Sequence, residues 1–136
     1  DKAYRKARAD SLRMAGAEGI DRLLKQHGVV ALVAPSRPAA WKIDAVHGDV
    51  SPGGNGIGSM AAVAGYPHLT VPMGQVRGLP VGLSFFGPKW SDALLLQLGF
   101  AFEQARGPLP GPRFLPSIEQ APEIAPALGR QLQPGD

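Results

Sequence analysis

The side chains best suited to chemistry fall in one stretch, residues 35–58, which its prolines and glycines mark as a loop. The stretch carries an aromatic ring, an imidazole, two carboxylates and an amide, supplied by Trp41, Asp44, His47, Asp49 and Asn55. A loop of this length is uncommon in a compact domain unless it is functional. We therefore predict a polar, substrate-facing loop, and the alternative is an ordinary loop in which Asp49 accepts hydrogen bonds from turn amides.

Catalytic and metal-binding chemistry would need these side chains to converge. His47, Asp49 and a third candidate, His68, could hold a metal or act as a general base, but their spacing does not establish that they meet. The run 54–58 is glycine-rich, yet it lacks the spacing of a dinucleotide fingerprint and no Lys-Ser/Thr pair follows it. The chain also contains no cysteine. We predict no cofactor and no metal.

None of the seven serines lies in a G-x-S-x-G elbow. Ser59 follows the glycine run and precedes an alanine-rich turn, where a hydroxyl commonly caps a helix. It has no neighbouring base in the sequence. We predict a capping role for Ser59 and assign no catalytic residue in this chain.

The elements that must position the loop follow from the hydrophobic pattern. Residues 2–28 predict two consecutive helices or one bent helix, interrupted near Gly16 and Gly19 and ended by Gly28. The apolar run 29–34 predicts a strand buried on both faces. Further elements are a short helix after the loop, two strands (69–71 and 81–86) forming a hairpin with a longer loop, and a helix over 91–106. Helices alternating with strands indicate an α/β fold.

The charge distribution bears on possible partners. The net charge is +3, and residues 1–28 hold the whole excess. A basic helix can bind nucleic acid, but no aromatic interleaving accompanies it, so a solvated face is favoured. No apolar run is long enough for a membrane span. The first residue is Asp1 and not Met, so we expect the natural N-terminus to be missing or processed, and a signal or transit peptide could have been lost with it. A cytoplasmic location is the expectation.

A series of blocks gives the chain a resemblance to a known family. The blocks are Gly19-Ile20-Asp21, residues 29–36 (VVALVAPS), residues 61–74 (AAVAGYPHLTVPMG), residues 78–87 (GLPVGLSFFG) and residues 94–103. In this order and at this spacing they resemble the C-terminal third of an amidase signature enzyme. The resemblance covers about residues 2–106, which we expect to be the C-terminal segment of the amidase domain, with 107–136 as a proline-rich tail.

The resemblance implies an α/β fold with a mixed β-sheet flanked by helices. Family members hydrolyse carboxamides, or transfer ammonia as amidotransferase subunits, with a Ser nucleophile, a cis-Ser and a Lys. The signature that carries these residues lies upstream of the part matched here. The resemblance therefore implies that this chain alone is inactive and that its loop contributes to the substrate pocket of a larger enzyme. Aromatic and carboxylate groups there would favour a substrate with an apolar part and an amine.

Two other functions remain open at this stage. The chain could be a non-catalytic binding or scaffold domain of amidase-like architecture, or part of an amidotransferase A-type subunit. In the intact enzyme the expected ligand is a small-molecule amide, with neither nucleic acid nor membrane as a partner. Because strands meant to be buried would be exposed here, we expect the chain to associate with the N-terminal part of the amidase or with itself.

Overall fold

The computed structural model describes residues 1–41, 43–48, 53, 57–112, 114, 116 and 117. The helices are α1 (Lys2–Ala15), α2 (Arg22–His27), α3 (Gly58–Ala64) and α4 (Asp92–Arg106), and a π-helical segment, Gly16–Asp21, joins α1 to α2. The strands are β1 (Leu32–Pro35), β2 (His68–Val76) and β3 (Leu79–Phe86). Helices on a sheet confirm the predicted α/β class.

The N-terminal helices run on without a break through the π-helical segment. A Cβ atom on Gly19 would lie 2.7 Å from the Met14 carbonyl oxygen, so this residue must be glycine for the widened turn to form. The Tyr66 hydroxyl donates to the Asp21 carboxylate at 2.6 Å and fixes the segment to the rest of the chain. This hydrogen bond also raises the pKa of Tyr66. Gly28, left-handed at φ 62°, ends α2 as predicted.

Helix α1 is solvated on the face that carries the positive charge. None of its residues is buried. Lys6 pairs with Asp10 at 2.6 Å, and Arg13 pairs with both Asp10 and Glu18. These local ion pairs neutralise part of the basic excess and agree with a solvated face.

The three strands form a sheet in the order β1-β3-β2, and both pairings are antiparallel. Strand β1 is shorter than the predicted 29–34, because Val29 and Val30 precede it. Burial on both faces is also wrong for this chain: β1 is an edge strand, and Val33 is 56% exposed. The resemblance implies a mixed sheet for the amidase fold, and both strand pairings in the described ranges of this chain are antiparallel.

The β2–β3 hairpin is tighter than predicted. Only Arg77 and Gly78 separate the strands, and both have positive φ, 52° and 75°, as a two-residue primed turn requires. Strand β2 reaches past Pro72, which pairs with Gly82, and the register shift between Pro72 and Gly74 leaves Met73 as the extra residue of a bulge. The expected longer loop is therefore strand.

Two apolar clusters cover the two faces of the sheet. On one face, Phe86 packs with Ile20 of the π-helical segment, Leu24 of α2, and Ala61 and Ala64 of α3. On the other, Phe85 and Val71 pack with Leu95 of α4. Successive residues of β3 thus face opposite clusters, as the alternation of a strand requires.

The helix ends agree with prediction better than the caps do. Helix α4 begins at Asp92 and ends at Arg106 before Gly107, but the Ser91 hydroxyl donates to the Pro88 carbonyl at 2.7 Å instead of capping the helix. Helix α3 begins at Gly58 with Ile57 at its N-cap, so Ser59 lies inside the helix and its predicted capping role is wrong. Most of 107–136 lies outside the described residues, and the division at residue 106 stays a prediction.

Candidate functional site

The loop after β1 contains a compact turn built on Asp44. Its Oδ1 accepts the backbone N–H groups of Val46 at 2.8 Å and His47 at 2.9 Å, and its Oδ2 lies 2.9 Å from Nδ1 of the His47 ring. The Asp44 carbonyl accepts the Gly48 N–H at 3.1 Å. Two of the predicted site residues, Asp44 and His47, are therefore brought together in a single turn.

The electrostatics of this turn follow from its hydrogen bonds. The His47 backbone N–H, then the His47 ring, then the Val46 N–H hold the pKa of Asp44 below its usual value. Because a carboxylate only accepts, the His47 ring donates Nδ1–H and leaves Nε2 facing outward on a side chain that is 77% exposed. The Asp44 carboxylate thus stabilises the turn, and the polar group that faces solvent is the His47 imidazole.

The other predicted site residues are less defined by the structure. Trp41 precedes the turn and is 40% exposed, and the apolar side chains of Ile43 and Val46 beside it are more exposed still. Asp49 and Asn55 lie outside the described residues. Their placement in a pocket stays a prediction.

A second polar group, which the sequence did not single out as a unit, lies on the sheet where the loop begins. Oγ of Ser84 is 2.7 Å from Nε2 of His68, donates to Oγ of Ser36 at 2.7 Å, and lies 3.2 Å from Oγ1 of Thr70. Ser36 Oγ also approaches Thr70 Oγ1 at 3.4 Å. We call these four residues the hydroxyl–imidazole network.

Sheet register creates this network. Thr70 is the cross-strand partner of Ser84, and Ser36, one residue past β1, donates its N–H to the Gly82 carbonyl at 2.8 Å. The feature of the sequence that could have revealed this network is Ser84, a serine inside the apolar strand Val81–Phe86. A hydroxyl at such a position must find partners when buried, but the sequence does not name them.

Two glycines give the network its room. A Cβ atom on Gly82 would lie 2.8 Å from Ser36 Oγ and 2.8 Å from Thr70 Cγ2. A Cβ atom on Gly58 would lie 3.1 Å from Cε1 of His68. The His68 ring therefore packs against the start of α3, at the far end of the loop that starts at Ser36.

The network is not a nucleophile with its base, although the His68–Ser84 distance fits one. Ser84 is fully buried, and its proton is directed at Ser36 and not at the imidazole. His68 also does not join His47 in a metal site: in the described parts of the chain, no three His, Cys, Asp or Glu side chains converge to hold a metal ion. What the arrangement can do chemically is fix side chains and present hydrogen-bonding groups.

An apolar groove lies elsewhere on the surface. It has a volume of about 400 Å³ and is lined mainly by Leu24, Val29, Val30, Pro88 and Leu94. Asp21 and Lys25 also line it, but almost all of its surface is apolar, unlike a pocket whose convergent polar groups orient a small-molecule substrate. Among the helices that the structure describes, none is long and apolar enough to cross a membrane.

Comparison with solved structures shows what the fold is similar to. The native peptide amidase from Stenotrophomonas maltophilia superposes with a TM-score of 0.68 and 44% identity, over 84% of this chain and 22% of that one. A structure of the peptide amidase PAM with the competitive inhibitor chymostatin gives a TM-score of 0.71 and 50% identity, over 84% and 23% of the two chains.

Sequence comparison agrees with the structural one. The A-type subunit of glutamyl-tRNA(Gln) amidotransferase from Symbiobacterium thermophilum is 33% identical over 109 residues, 76% of this chain and 21% of that protein. No protein-family model matches the chain. The chain spans less than a third of the length of the curated relatives it matches first. Its relatives and structural neighbours are amidase signature enzymes, and the chain matches a part of each, which is consistent with the C-terminal fragment that the resemblance implies.

Proposed function

We propose that the enzyme of which this chain forms part hydrolyses carboxamide bonds, with amidated peptides as the substrate class. The observation that carries the proposal is the similarity to peptide amidases at 44–50% identity over 84% of the chain. One of those amidases binds a competitive inhibitor, chymostatin. This chain would contribute pocket walls and sheet, and the nucleophile would come from the rest of the enzyme.

The proposed reaction is acyl transfer through a serine. A Ser hydroxyl outside this chain loses its proton through the cis-Ser and Lys of the family and forms a C–O bond to the amide carbonyl carbon. The C–N bond breaks and the nitrogen leaves as ammonia with the transferred proton. Water then attacks the acyl-enzyme, which releases the carboxylic acid and returns the proton to the serine.

Within this reaction the loop residues have separate proposed roles. Trp41 would contact the apolar part of the substrate. Asp44 and His47 would form a rigid wall, because the carboxylate is engaged by turn N–H groups and only Nε2 of His47 faces outward. Asp49 and Asn55 would supply the polar contacts, Asp49 to an amine and Asn55 to peptide groups. In this proposal the roles of Asp44 and His47 rest on their hydrogen bonds, and those of Trp41, Asp49 and Asn55 rest on residue type.

A chimera tests these roles. This chain replaces the matching segment of the Stenotrophomonas peptide amidase, and hydrolysis of an amidated peptide is measured through ammonia release. We expect activity, and we expect Trp41→Ala, Asp49→Ala and Asn55→Ala each to lower kcat/KM by about tenfold, mainly through KM. Trp90→Ala is the matched control, because Trp90 is an exposed tryptophan on the β3–α4 connection. Equal losses from Trp41→Ala and Trp90→Ala would contradict the pocket assignment.

The second candidate is an amidotransferase A-type subunit, favoured by the 33% identity over 76% of the chain. The same chimera distinguishes the two if free glutamine and an amidated peptide are compared as amide donors. We expect the peptide to be preferred because the peptide amidases share more residues with this chain. A chimera that folds but hydrolyses neither donor would favour the non-catalytic binding domain.

A further inference from the structure

The hydroxyl–imidazole network has a defined direction of proton donation. Each hydroxyl has one proton, and Ser84 directs its proton to Ser36. Ser84 therefore cannot donate to His68, although its Oγ lies 2.7 Å from Nε2. The contact is a hydrogen bond only if Nε2 carries the proton. The neutral His68 ring is thus held as its Nε2–H tautomer, with Nδ1 as the acceptor.

The remaining hydroxyl completes the pattern. Ser36 Oγ points its proton toward Thr70 at 3.4 Å, and Thr70 Oγ1 lies 3.2 Å from Ser84. Since the Ser84 proton is already engaged, Thr70 is the donor of that pair. Ser84, with no exposed surface, accepts from His68 and Thr70 and donates to Ser36. A buried hydroxyl with all of these partners satisfied resists displacement, because each lost bond leaves an unpaired polar group.

Ser36 is where this rigidity reaches the loop. It is the first residue after β1, and it is fixed twice, through its N–H to the Gly82 carbonyl and through its hydroxyl to Ser84. Gly82 lacks the Cβ that would lie 2.8 Å from Ser36 Oγ. At the other end of the same loop, His68 packs against Gly58. The network therefore contacts both ends of the loop that carries Trp41 and the Asp44 turn.

We infer that Ser36, Thr70, Ser84 and His68 are positioning residues, which fix the direction in which the substrate loop leaves the sheet and hold His68 as its Nε2–H tautomer. The link to substrate rests on the proposed function. The link to the loop and to the tautomer does not. Nδ1 of His68 then faces the start of α3 as a hydrogen-bond acceptor.

Nuclear magnetic resonance on the full 136-residue chain tests the tautomer. Long-range ¹H–¹⁵N correlations of His68, recorded well above the usual imidazole pKa, should show a protonated Nε2 and an unprotonated Nδ1. In Ser36→Ala the Ser84 hydroxyl loses its acceptor and can donate to Nε2 of His68 instead. The tautomer with the proton on Nδ1 should then become populated. Ser36→Thr keeps a hydroxyl at this half-buried position and should restore the Nε2–H form. A protonated Nδ1 in the unmodified chain would overturn the inference.

Amide hydrogen exchange tests the connection to the loop. In Ser36→Ala we expect exchange at Arg37 and at residues 39–41 to rise by about tenfold, as loss of a satisfied buried partner allows local opening. Ser36→Thr should leave it unchanged. Ser91→Ala is the matched control, because it removes a hydroxyl that bonds only the Pro88 carbonyl, beyond the other end of the sheet. Equal exchange in the unmodified chain and Ser36→Ala would overturn the positioning role.

The chimera adds the functional readout. There, Ser36→Ala should raise KM about tenfold with little change in kcat, since a displaced loop weakens binding more than chemistry. An active chimera with unchanged KM would overturn the link between the network and the pocket. An inactive chimera would count against the proposed function alone, because the tautomer and exchange measurements need no substrate.

Discussion

At the scale of single residues, the structure shows which polar groups of the loop are already hydrogen-bonded, and the sequence pattern does not. The sequence indicated that Asp44 and His47 belong to a functional loop, and they do meet. Spacing could not show that the Asp44 carboxylate would be engaged by the N–H groups of Val46 and His47. Such a bond depends on a local backbone turn and not on residue type alone.

The hydroxyl–imidazole network was harder to predict. Its members come from positions 36, 68, 70 and 84. They meet through the register of the β1–β3 pairing and of the β2–β3 hairpin, whose turn is two residues long. A longer turn, as the sequence suggested, would leave the pairing of Thr70 with Ser84 undetermined. Side-chain alternation then decides which face each residue occupies, and a shift of one residue would move every side chain to the other face.

The Asp44 turn should respond to pH in a defined direction. The His47 and Val46 N–H groups hold the Asp44 pKa below its usual value. The hydrogen bonds therefore stabilise the turn fully above the ordinary aspartate pKa of about 3.9 and are lost as the pH falls through the lowered pKa. Amide exchange at Val46 and His47, measured down a pH series, should show protection lost only below that ordinary value.

Asp44→Asn is the control for this titration. Its amide oxygen still accepts N–H groups but does not titrate. The pH step should therefore disappear while part of the protection remains. Protection of Val46 and His47 that is already lost well above the ordinary aspartate pKa would contradict the account.

At the scale of elements, helix and strand positions were largely predictable, and their details were not. The sequence predicted α3, α4 and the glycine that ends α2. It did not predict that the interruption after α1 is a π-helical turn, since that depends on Tyr66 and Asp21, which are 45 positions apart, forming a hydrogen bond.

Gly19→Ala tests the π-helical segment. Helix propensity alone predicts a gain in stability of about 1 kcal/mol. The structure predicts the opposite sign, a loss of roughly 1–3 kcal/mol, because the new Cβ would lie 2.7 Å from the Met14 carbonyl oxygen. Urea unfolding followed by circular dichroism decides between them. A stabilised variant would show that the turn is an ordinary α-helix.

Arg77→Asn tests the hairpin. Arg77 has φ 52°, a conformation that costs a residue with an ordinary side chain roughly 1–2 kcal/mol and that asparagine tolerates better. With Gly78 next to it, Asn-Gly is the favoured sequence for this turn, and we expect the free energy of unfolding to rise by about 1 kcal/mol. Chemical denaturation of both chains measures the difference. Destabilisation by Arg77→Asn would argue against positive φ at this position.

At the scale of the whole molecule, the chain exposes apolar side chains beside and along its edge strand. Val29, Val30 and Val33 are exposed beside or on the edge strand β1. The apolar groove adjoins the first two of them. The chain spans 22–23% of the length of the peptide amidases that it resembles in structure. The apolar run 29–34 predicts a strand that is covered on both faces. In the described part of the chain, β1 pairs with β3 alone and is an edge strand.

Val33→Lys tests whether this edge drives association. An edge lysine disfavours strand-to-strand pairing. We expect the unmodified chain to form oligomers in light scattering at micromolar concentration and Val33→Lys to shift it toward monomer. Val46→Lys is the control, because Val46 is 84% exposed and lies in the loop and not in a strand. If both variants associate equally, the β1 edge is not the interface.

The most direct measurement of the central claim is complementation in trans. The peptide amidase of Stenotrophomonas is produced without the segment that this chain matches, and ammonia release from an amidated peptide is measured for each piece and for their mixture. The amidase's own segment serves as the positive control. The account predicts that each piece alone is inactive and that adding this chain restores hydrolysis. Hydrolysis by the 136-residue chain alone, or no recovery where the amidase's own segment gives it, would contradict the account.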